Sequence, residues 1–479
     1  MHTSGLLSVL IPVYNEEEFV GVLLERVLRA PLPEGLESEL IVVDDGSSDG
    51  SVQAIEAIAA QHPGRIRLIL HQRNQGKGAA IRTAIEQARG DFGIIQDADL
   101  EYDPQEYLRL LQPLVEERCD VVYGSRFVVA GERRVLYFWH ALANQLLTTL
   151  CNMFADLNLT DMETCYKAFR MSLVKSIPIR SNRFGIEPEL TIKLAQRQAS
   201  IIELPINYYG RTYAEGKKIG LKDAFQALAV ILRYGLTRDI YTDDGAAILD
   251  ALAQTPRFNR WMAETIRPHL GNRILELGAG IGNLTMHLSR RRQLYVASDI
   301  DEEHLSRLGT RFRYRPNLQI RRCDLESAAH FECIPDPIDT VVCLNVLEHV
   351  KDDALGLRNI AGILQPGGRA IILVPEGMSV YGTLDKVLGH WRRYSEQELK
   401  TKCETAGLRV ETILRFNRIT RPAWFVNGRI FRRTRFSRFQ LAVFDRLVWL
   451  WKRFDRFIPW KPVSIIAIAL KPDRTAHPL

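Results

Sequence analysis

Short, continuously apolar runs alternate with amphipathic stretches along the chain. Ser8–Val13, Glu39–Val43, Ile66–Leu70 and Asp91–Ile95 are rich in Val, Ile and Leu without polar alternation, the pattern of strands buried on both faces. Glu16–Arg29 and Ala79–Ala88 between them read as helices. Strand, acidic Gly/Ser turn and helix thus recur, which predicts a mostly parallel sheet with helices on both faces. After a polar-to-small stretch at 241–257, the alternation restarts with Arg273–Leu277, Leu294–Ser298 and Leu318–Arg322 as strands. The expected architecture is α/β in two domains, 1–240 and 258–479, joined by the linker 241–257.

One stretch departs from this rhythm. Val135–Ala155 carries no charge, yet His140, Asn144, Thr148 and Asn152 fall four apart on one helical stripe while Trp139, Leu142, Leu146 and Leu150 cover much of the rest. That pattern predicts a helix lying in an interface rather than crossing a bilayer; a helix packed in the core stays open as the alternative.

Composition adds little until charge is located. A 479-residue chain with 46% apolar residues is globular, and a net charge of +6 decides nothing by itself. From Arg409 to Lys461, however, there are 14 Lys or Arg against 3 acids, interleaved with aromatics such as Trp424, Phe431, Trp449 and Trp460. Such a segment suits an anionic bilayer surface or RNA. Seven cysteines without CxxC spacing indicate neither a zinc ribbon nor a disulfide framework, so a reducing cytosol is expected. Met1–Leu10 lacks the basic start and long apolar core of a signal peptide.

The candidate chemistry lies at strand ends. Asp97, Asp99 and Glu101 alternate after an apolar strand, which puts three carboxylates on one side of an extended backbone. They repel one another unless a hard cation such as Mg²⁺ or Mn²⁺ sits among them, and a cation held this way neutralises a diphosphate. Ligands of parallel sheets bind at the carboxyl ends of strands, where Pro12–Glu16, Asp44-Asp45 and Asp97–Asp99 all fall. In the second half, Glu276 precedes Gly278 and Gly280, while Asp299 and Asp324 each end a later strand. Glycines admit close backbone approach, and a carboxylate after the second strand suits ribose hydroxyls.

The ordered set Pro12-Val-Tyr-Asn-Glu-Glu, Val43-Asp-Asp-Gly-Ser-Ser-Asp-Gly, Asn74-Gln-Gly-Lys-Gly, Gln96-Asp-Ala-Asp-Leu and Gly124-Ser-Arg resembles family-2 inverting glycosyltransferases of the GT-A fold. It is most like the dolichyl-phosphate mannosyltransferase group and its bacterial polyprenyl-phosphate relatives. The resemblance implies that Pro12, Tyr14 and Glu16, with Asp44 or Asp45, hold the nucleotide, and that Asp97, Asp99 and Glu101 take the metal and diphosphate. It implies Arg126, Arg211, Lys217 and Lys218, helped by Arg133 or Arg134, around the acceptor phosphate and the leaving diphosphate, with Asp97, Asp99, Arg126 and Arg211 as the catalytic set. A phosphate acceptor is already anionic and attacks directly; a hydroxyl acceptor would need a base, for which Glu187 and Glu189 are the candidates.

Arg273–Asn283, Ile338–Val350 and Leu364–Pro375 resemble a class I, Rossmann-like S-adenosylmethionine methyltransferase. Glu276, Gly278 and Gly280 are then implied at the methionine and ribose, Asp299 at the ribose and Asp324 near the adenine, with His349 and His390 as bases or substrate contacts. That fold closes on an antiparallel pair, here Leu408–Phe416 and Ser464–Leu470, which leaves 417–463 as a basic aromatic insertion. Asn345 does not open the Pro-Pro signature of base-modifying enzymes, so no nucleic acid partner is expected. The resulting expectation is a bifunctional cytoplasmic enzyme, peripheral at the inner membrane face. It would move a sugar from a nucleotide-sugar donor to polyprenyl phosphate and methylate a glycan or lipid-linked intermediate. The alternative is a transferase for a soluble hydroxyl acceptor, carrying an S-adenosylmethionine-binding docking module.

Overall fold

The first strand, β1 (Gly5–Val13), lies inside a seven-stranded sheet, third in its order, with Leu, Val and Ile side chains buried on both faces. The computed structural model describes residues 5–128, 138–210, 221–241, 255–335, 337–433 and 438–473. Its chain falls into two compact units, Met1–Thr242 and Asp243–Leu479.

In the first unit, β2 (Leu36–Asp44), β3 (Ile66–Leu70), β4 (Phe92–Ile95), β5 (Val121–Ser125), β6 (Lys167–Arg170) and β7 (Ile201–Pro205) join β1 in the order β3-β2-β1-β4-β6-β5-β7. The pairing is parallel except around β6, which runs antiparallel to both β4 and β5. The sheet is therefore mixed, and β6 brings the segment 161–167 alongside the end of β4. Helices Val20–Leu28, Ser51–Gln61 and Lys77–Gln87 connect the first four strands; the first starts four residues inside the expected Glu16–Arg29 and the third two residues before the expected Ala79–Ala88.

Helix Phe138–Ala155 is turned opposite to a core helix. Its polar stripe faces the protein: Asn144 donates to Asp161 at 3.0 Å, the Thr148 hydroxyl accepts from the Met162 amide at 3.2 Å, and Asn152 bonds both backbone groups of Leu159. Its apolar side faces out, with Phe138 69%, Trp139 75% and Met153 73% exposed. Helix Leu221–Leu236 packs beside it and exposes Phe225 and Leu236. The alternative of core packing holds for one side only: Cys151 is buried with Ile192 and Ile231, and Leu147, Leu150 and Phe154 pack against that cluster. No helix among the described residues is long and apolar enough to cross a membrane.

The second unit opens with helix Pro256–Ile266, so the last two residues of the expected linker are already helical. Strands β8 (Arg273–Leu277), β9 (Leu294–Asp299), β10 (Leu318–Arg322), β11 (Ile338–Leu344), β12 (Leu364–Pro375), β13 (Arg409–Phe416) and β14 (Ser464–Leu470) form a sheet in the order β10-β9-β8-β11-β12-β14-β13. Only β14 is antiparallel to its neighbours. The segment between β13 and β14 includes helices Arg438–Arg446 and Val448–Phe454, and its Phe431, Trp449 and Phe457 are each more than half exposed.

Candidate functional site

In the first unit the acidic turn after β4 meets the loops after β1 and β2. Beyond β1, Asn15 takes a left-handed conformation at φ 52°. It is held there because its amide donates to the Ser47 hydroxyl and its side-chain oxygen accepts from the Ser48 amide. The two carboxylates after β2 differ. Asp45 accepts from His71, Gln75 and Gly76, so its oxygens are occupied by the loop that leads into helix Lys77–Gln87. Asp44 accepts from the Gly46 and Ser47 amides through Oδ2, while its buried Oδ1 has no hydrogen-bond partner among the described residues. The Asp44-Asp45 ambiguity thus resolves into one structural acid and one with acceptor capacity left. Pro12 lies within β1, and Tyr14, 40% exposed, and Glu16 follow it.

Around the acidic turn, charges alternate into the interior. Lys77 Nζ lies 2.8 Å from Asp97 and 3.2 Å from Glu187. Glu187, itself buried, also pairs with fully buried Lys167. Burial opposes the charge on Lys77, but Asp97, Cys165 and Glu187 outweigh it and hold the ammonium well above its usual range. Beside this chain, burial and then the charge of Glu187 push the Glu163 carboxyl up to about 7, and Glu163 Oε1 is buried with no hydrogen-bond partner among the described residues. Glu189 is saturated by Lys193 at 2.6 Å and by the amides of Arg180 and Ser181. Of the two suggested bases, Glu187 faces the acidic turn through Lys77, while Glu189 locks a loop.

Arg126 sits at the end of β5 and is pinned rather than free. Its Nε and Nη2 form a forked pair with fully buried Asp161 at 2.6 and 2.8 Å, and its guanidinium lies 5.1 Å from the Tyr208 ring centre. Two of its three nitrogens are therefore committed, which narrows any direct phosphate role to Nη1. Arg133, Arg134, Arg211, Lys217 and Lys218 lie outside the described residues.

Asp97, Asp99 and Glu101 offer hard oxygens suited to Mg²⁺ or Mn²⁺. Asp99 caps the Glu101 amide at 3.2 Å, and Glu101 Oε2 accepts from the Tyr208 hydroxyl at 2.6 Å. Among the described residues, the group of three ligand side chains whose donor atoms gather within 4.8 Å is Glu348, His349 and His390, not these carboxylates. The acids therefore suit an ion that one or two carboxylates hold together with a substrate diphosphate, a common arrangement for Mg²⁺.

In the second unit the turn after β8 is built on glycines. Gly278, at φ +68°, lies so close to Val346 that an added Cβ would stand 2.3 Å from its Cγ2. Gly280, at φ +55°, has nothing within 4 Å of such a Cβ, so it borders open space. Its amide donates at 2.8 Å to Asp299, whose other oxygen accepts from the Asp301 amide and His304. Glu276 is buried beneath the turn, where Thr285 and Tyr295 donate to it at 2.5 and 2.9 Å, and burial pushes its carboxyl up to about 7. Glu276 thus supports the turn from below, whereas Gly280 and Asp299 border the open side. Asp324 caps Glu326 through Oδ1 at the end of β10. His349 and His390 are stacked edge to face, 4.8 Å apart.

Lys77, Glu163 and Lys167 were not singled out as functional residues by the sequence reading. Lys77 did lie inside the quoted motif Asn74-Gln-Gly-Lys-Gly, and that placement was the available signal for it.

The two sheets give two α/β units, with a GT-A-like arrangement in the first and a Rossmann-like one in the second. Residues 8–177 match the family described as glycosyl transferase family 2, and residues 275–370 match the family described as methyltransferase domain. The first match falls within the first unit and the second within the second unit. The undecaprenyl-phosphate 4-deoxy-4-formamido-L-arabinose transferase of Edwardsiella ictaluri (strain 93-146) is 32% identical over 216 residues, which are 45% of this chain and 63% of that protein. The chain thus spans less than two thirds of the length of this relative. Glucosyl-3-phosphoglycerate synthase from Mycobacterium tuberculosis, solved with Mn²⁺, uridine diphosphate and phosphoglyceric acid, superposes with a TM-score of 0.39 at 22% identity, over 49% of this chain and 80% of that one. An S-adenosylmethionine-dependent methyltransferase from Clostridium acetobutylicum ATCC 824 superposes with a TM-score of 0.31 at 14% identity, over 46% of this chain and 93% of that one.

Proposed function

We propose that the first unit transfers a sugar from a nucleotide-sugar donor to a polyprenyl phosphate at a membrane surface, and that the second methylates a glycan or lipid-linked intermediate with S-adenosylmethionine. The observation that carries the lipid acceptor is the outward apolar face of Phe138–Ala155, whose inward stripe bonds Asp161 and so adjoins Arg126. An interfacial helix of this kind sets a prenyl phosphate beside the sugar site. Pro12, Tyr14, Glu16 and Asp44 would hold the nucleotide, and Asp97 and Asp99, with Glu101 nearby, would hold Mg²⁺ or Mn²⁺. The ion would supply charge neutralisation to the diphosphate. Lys77 adds a fixed positive charge beside Asp97, Arg126 orients the acceptor side, and Arg211, Lys217 and Lys218 complete the phosphate contacts. No base is required, since a phosphate monoester attacks as the anion.

The test incubates purified protein, metal and labelled nucleotide sugars with and without polyprenyl phosphate, with an Asp99→Ala control. Label entering the organic phase, and only with intact Asp99, is expected; label confined to water-soluble product overturns the lipid acceptor. Glu163 favours that second reading, a hydroxyl acceptor, because a buried carboxyl near 7 with Oε1 unpartnered among the described residues can take a proton at neutral pH. Glu163→Gln would then abolish transfer, whereas transfer to a phosphate tolerates it.

For the second unit, S-adenosylmethionine would lie along Gly278 and Gly280 with its ribose on Asp299 and its adenine toward Asp324, above the support of Glu276. Gly280→Ala is expected to fold, at a cost of about 1–2 kcal/mol for the left-handed backbone. Its Cβ enters the open space, so S-adenosylmethionine binding measured by calorimetry should weaken at least about tenfold, equivalent to ~1.4 kcal/mol.

A further inference from the structure

After β11 the chain makes a short turn, Leu347–His349, that carries Glu348 and His349. His390 comes from the loop after helix Thr383–Val387, and the donor-capable atoms of the three side chains lie within 4.8 Å of one another. Two backbone bonds fix the approach: the Trp391 amide donates to the Glu348 carbonyl and the His390 amide to the Asp385 carbonyl, both at 2.9 Å.

Glu348 is fully buried, and no other described residue donates a hydrogen bond to either of its carboxylate oxygens. A carboxyl in that state stays ionised only where a positive partner arrives, and is otherwise held as the neutral acid. Arg393, whose charge reaches Glu348, directs Nε to Asp385 and Nη1 to the Glu376 carbonyl. His390 does not fill the gap, since its Nε2 lies 3.9 Å from Glu348 Oε1. The opposite ring nitrogen, Nδ1, faces Asp385 at 3.0 Å, and Asp385 is itself fixed by the Gly382 amide and Arg393. A carboxylate on Nδ1 holds the proton there and leaves Nε2 as a lone pair, the outer-shell arrangement found behind metal-bound histidines.

We infer that Glu348, His349 and His390 form a binding site for one divalent transition-metal ion on the methyltransferase unit. Two imidazole nitrogens and one carboxylate oxygen select a Zn²⁺-like ion over Mg²⁺ or Ca²⁺, and three protein ligands leave a position open for a further oxygen ligand. The site adjoins the glycine turn, because Val346, two residues before Glu348, packs on Gly278. Ion binding itself is independent of whether the unit methylates; only the ion's use by an acceptor oxygen rests on that reading.

The test strips the full-length protein with a chelator and titrates Co²⁺, following the visible absorption that separates nitrogen-ligated, low-coordinate Co²⁺ from the all-oxygen, six-coordinate ion that Asp97 and Asp99 would give. One strongly absorbing Co²⁺ per chain, displaced by Zn²⁺, is expected. Glu348→Gln and His390→Ala should abolish that absorption, and Asp385→Asn should weaken the affinity about 10–100-fold. Glu348→Gln keeps the size of a buried side chain whose oxygens accept no hydrogen bond among the described residues, so this variant should unfold close to the metal-free parent, and Zn²⁺ should raise the unfolding temperature of the parent alone. The site is refuted if the parent shows no strong absorption, or if the absorption survives Glu348→Gln.

Discussion

Lys77→Met is expected to lower sugar transfer about 100-fold or more while shifting the metal requirement in the opposite direction. Lys77 stands between Asp97 and Glu187, with its charge held by both. In the proposed reaction, negative charge develops on the leaving diphosphate, and a preorganised cation at such a place is worth roughly 10²–10³ in rate. The same cation repels the divalent ion and competes for Asp97, so its loss makes the acidic turn more attractive to Mn²⁺. The maximal rate should therefore fall while the Mn²⁺ concentration for half-maximal transfer decreases. Glu187 keeps Lys167 as a partner in the variant, so folding should be largely preserved. A lysine with only a structural role would lower stability and rate together and leave the metal requirement unchanged, and that result would sink the assignment.

Arg126→Ala should destabilise the first unit by about 3–5 kcal/mol, because one partner of a buried ion pair is removed and the other is stranded. Asp161 is fully buried; without the fork, its carboxylate retains, among the described residues, the Asn144 amide group and the Arg126 backbone amide. Against a typical total stability of roughly 5–15 kcal/mol, that loss is large. Adding Asp161→Asn should restore much of it, a non-additivity that chemical denaturation of the two singles and the double detects. Arg126→Lys keeps the charge without the forked geometry, so it should fold better than Arg126→Ala yet transfer sugar poorly. Equal stability of Arg126→Ala and the parent would show that the pair does not hold this region.

Much of the fold was legible because its strands are short, continuous Val/Ile/Leu runs separated by turn residues; the α/β class emerges from that rhythm, and the closing antiparallel pair from the resemblance to class I methyltransferases. The antiparallel insertion of β6 was not legible. Lys167–Arg170 is a four-residue strand, too short for periodicity to reveal, and pairing direction is set by tertiary contacts. The acidic turn could be read from spacing alone. The ion-pair chain behind it could not, since a lysine at a helix start, such as Lys77, looks like solvated surface until Glu187, 110 positions later, arrives beside it. The Val135–Ala155 pattern displayed two faces without saying which one points inward; Asn144, Thr148 and Asn152 decide it by finding backbone and carboxylate partners inside the unit.

That inward stripe also governs how the protein can behave away from a membrane. Rolling the helix to hide Trp139 and Met153 would break the bonds at Asn144, Thr148 and Asn152 and take a partner from Asp161. The greasy side is therefore a permanent fixture rather than a retractable one. The exposed Phe138, Trp139 and Met153 are therefore expected to promote clustering in dilute buffer that detergent suppresses, which light scattering with and without detergent checks.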